Sequence, residues 1–300
     1  MSVFGDILYR FRHEQGQTQQ QFITEISLYA QEFMALNTVT LSRWENGTTE
    51  TSLYRKRLIL KFFHTKGLLN FEPYRSLIRD RYKVLYLPLS KIFEHNYETL
   101  IHNLPKLRVN LDAYDKSSLL QSQDLAHLQH IIDIEVASHA ALYYKNSPKR
   151  LQELTADEGS YSLIIEKSRQ HLGHFIMYKI THDTSDKIIH YQLKEDDLAL
   201  EHFCSPEEVG DYYIHALYAV NPLIASILNV DTYLHLFDHI SAIKDIVIFS
   251  SRKDGVRLAK AYGIEVVESG EDLHYGISWH GMRSPVEDIL FSDTVLKLVF

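Results

Sequence analysis

The residues whose types and spacing best suit chemistry are Thr38 to Gly47, TVTLSRWENG. The chemistry they suit is recognition, by hydrogen bonds to the edges of bases. A polar start at Asn37 and Thr38, apolar anchors at Leu41 and Trp44 and a stop at Gly47 predict a short helix. Leu41 and Trp44 stand three apart and so face inward together, leaving Thr38, Val39, Ser42 and Arg43 outward. Short, mostly uncharged side chains beside one arginine fit close approach to a DNA groove. The same stretch also fits an ordinary surface helix closed by a turn.

Candidates for bond-making chemistry are fewer. His235 and His239 are spaced i, i+4 in LHLFDHI, with Asp238 beside them, and such a pair could hold zinc. No further ligand is in view, and a half-buried or surface pair explains them as well. There is no G-x-S-x-G element from which to build a Ser-His-Asp triad. Cys204 is the single cysteine, which excludes an internal disulfide and a cysteine-based metal site, and it reads as a passive residue. Tyr and Phe are abundant, 19 and 14, enough to line a site for a small apolar or planar ligand, although core packing accounts for them by default. The residues alone assign no catalytic group, metal or cofactor.

The elements around the Thr38 helix must hold it out to a partner. Phe4, Ile7, Leu8 and Phe11 have the spacing of an amphipathic helix that Gly16 ends. Thr18 with Gln21 three residues on predicts a capping box for a second helix, TQQQFITEI, whose N–H groups and amides could grip a phosphate. Gly16, Thr18-Gln19 and Thr40 to Gly47 together resemble the phage-repressor and Cro type of helix-turn-helix, also called the xenobiotic-response-element family, over roughly residues 1–64. The resemblance implies a five-helix DNA-binding domain. It puts Thr38, Val39 and Arg43 at base-reading positions and Gln19, Asn37 and Asn46 at phosphate-holding ones, with Arg12 paired to Glu45 inside. This chain departs by about ten extra residues, ISLYAQEFMA, so that either the second helix is longer or the turn is enlarged. SLYRKRLILKFF, Ser52 to Phe63, continues as a basic amphipathic helix with Arg55, Lys56, Arg57 and Lys61 expected in solvent; a phosphate contact by Arg55 or Arg57 is the alternative to a solvated face.

Length and composition bound the rest. Three hundred residues suffice for about two domains, and 45% apolar with 23% charged residues is the make-up of a globular chain. No apolar run is long enough to span a bilayer and the start lacks a signal-peptide core, so the expectation is a cytoplasmic protein without a membrane partner. The net charge of −8 is unevenly spread: residues 1–83 carry 12 Lys and Arg against 8 Asp and Glu, leaving 19 against 31 beyond. A mildly basic head and an acidic body predict weak binding per monomer and reliance on a dimer.

Between head and body, Tyr74 to Lys83 reads as a basic helix-like piece and Val84 to Leu87 as a short apolar run. Ser118 to Tyr144 reads as a long amphipathic helix, suited to dimerisation or to packing on its own body. After Pro148 the pattern turns to strands: YSLIIEK, HFIMYKI, KIIHYQL, DYYIHALYAV and DIVIFSS. Pro222 to Ile240 has helical spacing between the last two, which makes a βαβ unit, and RKDGVRLAKAYGIEVV adds a helix, a stop at Gly263 and a strand. That order, with the KAYGI helix end, resembles the GNAT acyltransferase fold over about residues 150–290. The resemblance implies acyl-coenzyme A held where the sheet splays after Val220. Two positions depart from it. VNPLIASIL has no glycine for the pyrophosphate loop and Pro222 lacks an N–H, and Ala259 stands where the acid tyrosine is expected, with Tyr262 beside Gly263 instead.

The sequence thus predicts an all-α helix-turn-helix head over residues 1–66, a helical connector or dimerisation region over 67–148 and a mixed α/β GNAT-like body over 149–300. It predicts a sequence-specific transcriptional regulator that is not an enzyme. Its partners are double-stranded DNA at a palindromic site, a second copy in a homodimer, and a small-molecule effector sensed by the body. The alternative is a DNA-targeted N-acyltransferase using acetyl-coenzyme A.

Overall fold

A computed structural model of the chain describes residues 2–70, 80, 114–119, 125–139, 147–274 and 276–300. It divides into two units, residues 1–84 with 290–300 and residues 85–289. The predicted pieces at Tyr74 to Lys83 and Val84 to Leu87 lie outside the described residues.

Side-chain caps start each of the first four helices. Ser2, Thr18, Asn37 and Ser52 accept from backbone N–H groups at the heads of α1 (Val3–Glu14), α2 (Gln19–Tyr29), α3 (Thr38–Glu45) and α4 (Leu53–Thr65). At Thr18 the cap is the reciprocal box with Gln21. The helices bury Phe11, Phe22, Leu41, Trp44, Ile59 and Phe63, and Phe11 stacks on Phe63 with centroids 3.7 Å apart. Gly5 is where α1 crosses the end of α3, since a Cβ there would lie 2.3 Å from the Trp44 carbonyl oxygen. The extra residues do both: Ile26 to Tyr29 lengthen α2 and the remainder enlarge the turn. After α2 ends at Tyr29, a 3-10 turn over Gln31–Phe33 drives Phe33 fully into the core before α3 begins.

The C-terminus completes this unit. Helix α11 (Asp293–Val299; α5 to α10 follow below) packs on α4, and Phe300 meets Phe4 edge-on at 5.5 Å. The expectation that Lys56 and Arg57 stand in solvent is corrected by this packing. Lys56 is 2% exposed and bonds Glu50 at 2.9 Å, while Arg57 donates to the Phe291 carbonyl at 3.1 Å and to Asp293 at 2.7 Å.

The second unit is a seven-stranded mixed sheet in the order β1-β2-β3-β4-β5-β7-β6. The strands are β1 Asp115–Ser117, β2 Tyr161–Lys167, β3 Gln170–Ile180, β4 Gly210–Ala219, β5 Ile243–Ser250, β6 Glu265–Asp272 and β7 Ile277–Pro285. Among the described strands only β4 and β5 are parallel, joined by the crossover helix α8 (Pro222–Asp238). Helix α8, with α9 (Lys253–Ala261), covers one face of the sheet. The core of the other face is built by α5 (Leu125–His139), α6 (Pro148–Thr155) and α7 (His182–Ile189) against Ile164, Ile176, Tyr178, Tyr213 and Val247. A short helix, α10 (Val286–Leu290), follows β7.

One predicted strand is a helix. KIIHYQL falls on the end of α7 and the turn after it, because Thr181 caps that helix by accepting from Thr184 N and Tyr191, at φ 55°, ends it. Its apolar Ile188 and Ile189 are buried as a helical pair instead of alternating. Among the described residues no helix is long and apolar enough to cross a membrane.

Candidate functional site

The six residues assigned to DNA lie on or beside α3. Val39 is 59% exposed, Arg43, Asn37 and Asn46 are exposed, and Thr38 is half-buried. Leu41 and Trp44, at 0% and 4%, turn inward as their spacing dictates. Three of the assigned side chains already bond within the fold, Asn46 by donating from Nδ2 to Ser42 Oγ at 3.3 Å. Asn37 Oδ1 accepts from Thr40 N at 2.9 Å, and Gln19 Nε2 donates to Glu45 Oε2 at 2.8 Å. Glu45 is also bonded by Arg12 Nε at 2.6 Å, which is the internal pair the resemblance implied.

In the second unit the sheet forks. β4 and β5 pair from Gly210↔Ile243 to Ile214↔Ile248, after which β4 follows β3 to Ala219 and β5 follows β7 to Ser250. The parting therefore comes after Ile214, earlier than the Val220 expected. A β-bulge lies at the same place: the β3 partners jump from Ile214 to Ala216, so His215 is the extra residue. A bulge re-aims a side chain and leaves its main chain outside the ladder. The His215 side chain is 1% exposed while the residue as a whole is half-buried, so the accessible part is main chain at the fork.

His215 Nδ1 is hydrogen-bonded to Glu195 Oε1, and its ring lies 5.0 Å from that of Tyr178. A carboxylate on one ring nitrogen orients the imidazole, as in an oriented general base. Below the fork a cavity of about 140 Å³ runs between α8 and α9, lined by Leu217, Thr232, Tyr233, Phe249, Arg252 and Tyr262 among others. His215 also lines it. A buried histidine oriented by a carboxylate, at a fork with a mostly apolar cavity beside it, can take a proton from the attacker of a reactive carbonyl group held there.

Sequence reading missed His215 and Glu195. The available signal was a histidine inside the otherwise apolar strand DYYIHALYAV; Glu195, in the acidic run KEDD, carried none. The zinc reading of His235 and His239 is not what the fold uses them for. His235 Nε2 is 3.0 Å from the Tyr212 hydroxyl, and His239 Nδ1 is 2.9 Å from the His235 carbonyl. Burial, with His239 and Lys179 nearby, pushes the His235 pKa down to about 3. The native state therefore stays neutral there while the unfolded chain takes up a proton. Stability from this group is present above pH about 6.5 and is lost toward pH 3, at up to about 1.4 kcal/mol per pH unit. Denaturant titrations at pH 7, 5.5 and 4.5 should show the decline, and His235→Phe should flatten it; parallel decline in both chains would remove His235 as the cause. Burial also pushes the Cys204 thiol pKa up, which keeps it protonated.

No protein-family model and no curated protein sequence matches the chain. Solved structures similar to it are N-acetyltransferases. They include the ribosomal-protein-S18-alanine N-acetyltransferase of Escherichia coli (10% identity, 58% of this chain and 94% of that one, TM-score 0.36). Another is an N-acetyltransferase of Staphylococcus aureus Mu50 (8%, 58% and 97%, TM-score 0.38). A third is Arabidopsis thaliana NAA60 in complex with acetyl-CoA (12%, 57% and 99%, TM-score 0.39). The expectation that the chain is not an enzyme is corrected. The solved structures similar to it are N-acetyltransferases, and His215 at the fork lies at neither the loop nor the tyrosine position where the resemblance places that family's chemistry.

Proposed function

We propose that the second unit is an N-acyltransferase, using an acyl thioester of the coenzyme A type and an amine acceptor. The observation that carries this is the bulged His215, held by Glu195 where β4 and β5 part above the cavity. The thioester arm fits the fork, where β4 and β5 are no longer paired with each other and leave a cleft between two strands. The pyrophosphate fits α8 poorly, since Pro222 has no N–H and Asn221 Oδ1 already takes the Ile224 N–H. Coenzyme A would thus be held mainly through its pantetheine arm. The donor supplies the activated acyl group. The chain's own part is to hold the acceptor amine against the fork and to receive its proton at the His215 imidazole. Calorimetric titration with acetyl-coenzyme A and a pantetheine thioester, followed by thiol release over a panel of primary amines and peptides, tests the reading; absence of both binding and thiol release would end it.

We propose further that the head docks this activity on double-stranded DNA. Support comes from α3, whose Val39 and Arg43 are exposed on a helix anchored by Leu41 and Trp44. Arg43 suits a bidentate bond to a guanine edge. Arg43→Ala should weaken binding to the selected site by about 1–3 kcal/mol and relax one base position. Mobility shifts on a randomised library would show it, and unchanged selection would remove α3 from the groove.

A further inference from the structure

We propose a first-row transition-metal site, for zinc or a similar divalent ion, on His127, Glu166 and His171. The three side chains come from α5, β2 and β3, and one ligand atom of each lies within 4.8 Å of the others. His127 Nε2 stands 3.4 Å from His171 Nδ1 and 3.7 Å from Glu166 Oε1. Two imidazole nitrogens bound to one tetrahedral ion at about 2.0–2.1 Å each sit about 3.3–3.4 Å apart, so the first separation is already that of a ligand pair. For a nitrogen-to-nitrogen hydrogen bond the same distance is long.

Local structure explains how the ligands meet. The β2–β3 hairpin turns on Ser168 and Arg169, both at positive φ (52° and 65°), which brings Glu166 and His171 opposite one another. The register then shifts so that Leu172 is an extra residue on β3. Residues three apart on a regular strand point to opposite faces; the bulge lets His171 and His174 meet. His171 Nε2 lies 2.9 Å from His174 Nδ1, and His174 is fully buried. With the metal on Nδ1, the Nε2–H of His171 donates to His174, the outer support that metal-bound histidines ordinarily have. From the helix side, Leu128, Ile131 and Ile132 anchor α5 in the core and so hold His127 over the hairpin. His130, one turn on and exposed, has its ring 6.0 Å from that of His171. Two imidazoles and one carboxylate favour zinc, cobalt or nickel over calcium or magnesium. The bound ion would staple α5 to the hairpin.

The test is cobalt(II) titration of the full chain, followed by optical absorption. The expected result is one equivalent bound, with the visible bands of a tetrahedral site, competed by zinc. Zinc should also raise the thermal midpoint by several degrees and slow amide exchange over residues 125–139. His127→Gln, half-exposed on a helix, should weaken binding at least tenfold with the fold kept; Glu166→Gln should do the same and serves if the first variant misfolds. His182→Gln, in the separate His182, Asp211 and Asp245 cluster, should leave the bands unchanged. Absence of bands at millimolar cobalt, or binding lost in His182→Gln but kept in His127→Gln, overturns the proposal.

Discussion

Replacing His215 by Gln is expected to lower acyl transfer, measured as kcat/KM for thiol release, by about 10²–10⁴-fold, or roughly 3–5 kcal/mol of barrier. The size follows from where the residue stands. Its side chain is 1% exposed, so bulk water is a poor substitute for it as proton acceptor, and Glu195 holds the ring in orientation. Gln preserves the volume and a hydrogen bond to Glu195, so thioester affinity by calorimetry should stay within about threefold. Glu195→Gln should cost less, since it removes orientation and charge but leaves the imidazole in place. If His215→Gln turns over at the parent rate, the base lies elsewhere and the bulge is only a packing device. The His127 and His235 variants, made away from the fork, provide the comparison for non-specific losses.

The second large effect concerns stability. Glu45→Ala should destabilise the head by about 3–5 kcal/mol, because it strands the Arg12 guanidinium, 12% exposed, without the carboxylate that neutralises it. Three donors converge on Glu45: Arg12 Nε at 2.6 Å, Arg12 Nη2 at 3.1 Å and Gln19 Nε2 at 2.8 Å. They tie α1, α2 and α3 together at one point, so losing the carboxylate loosens the seat of the exposed helix as well as the pair. Amide exchange over α1 to α4 is the proper readout, since two units need not unfold together. Protection factors there should fall by two to three orders of magnitude while those of β3 and β4 hold. Replacing both partners, Arg12→Met with Glu45→Leu, should restore most of the protection; if it restores none, the role of the pair is to order this region and not merely to avoid an unpaired charge.

Much of the architecture could be read from local pattern, because caps and periodicity are properties of neighbouring residues. The capping box at Thr18, the inward pair Leu41 and Trp44 and the strands YSLIIEK, HFIMYKI, DYYIHALYAV and DIVIFSS all appear where their spacing puts them. The Arg12 and Glu45 pair followed from resemblance. KIIHYQL misled because a short apolar run fits a strand or a buried helix end equally, and only the Thr181 cap and the packing of Ile188 and Ile189 decide. Lys56 and Arg57 misled because Phe300, Phe291 and Asp293, against which they pack, are more than two hundred residues away in sequence.

The amino-acid order by itself determined most of the helices and strands and most of the faces that turn inward. Tertiary structure alone brought the candidate groups together. His215 becomes a base candidate only when β3 skips it and β5 leaves it, and Glu195 reaches it across a turn that carries no periodic signal. His127, Glu166 and His171 converge only through a bulge and the docking of α5 against the hairpin. Register shifts and strand partings are set by how whole elements pack, so no window of neighbouring residues encodes them.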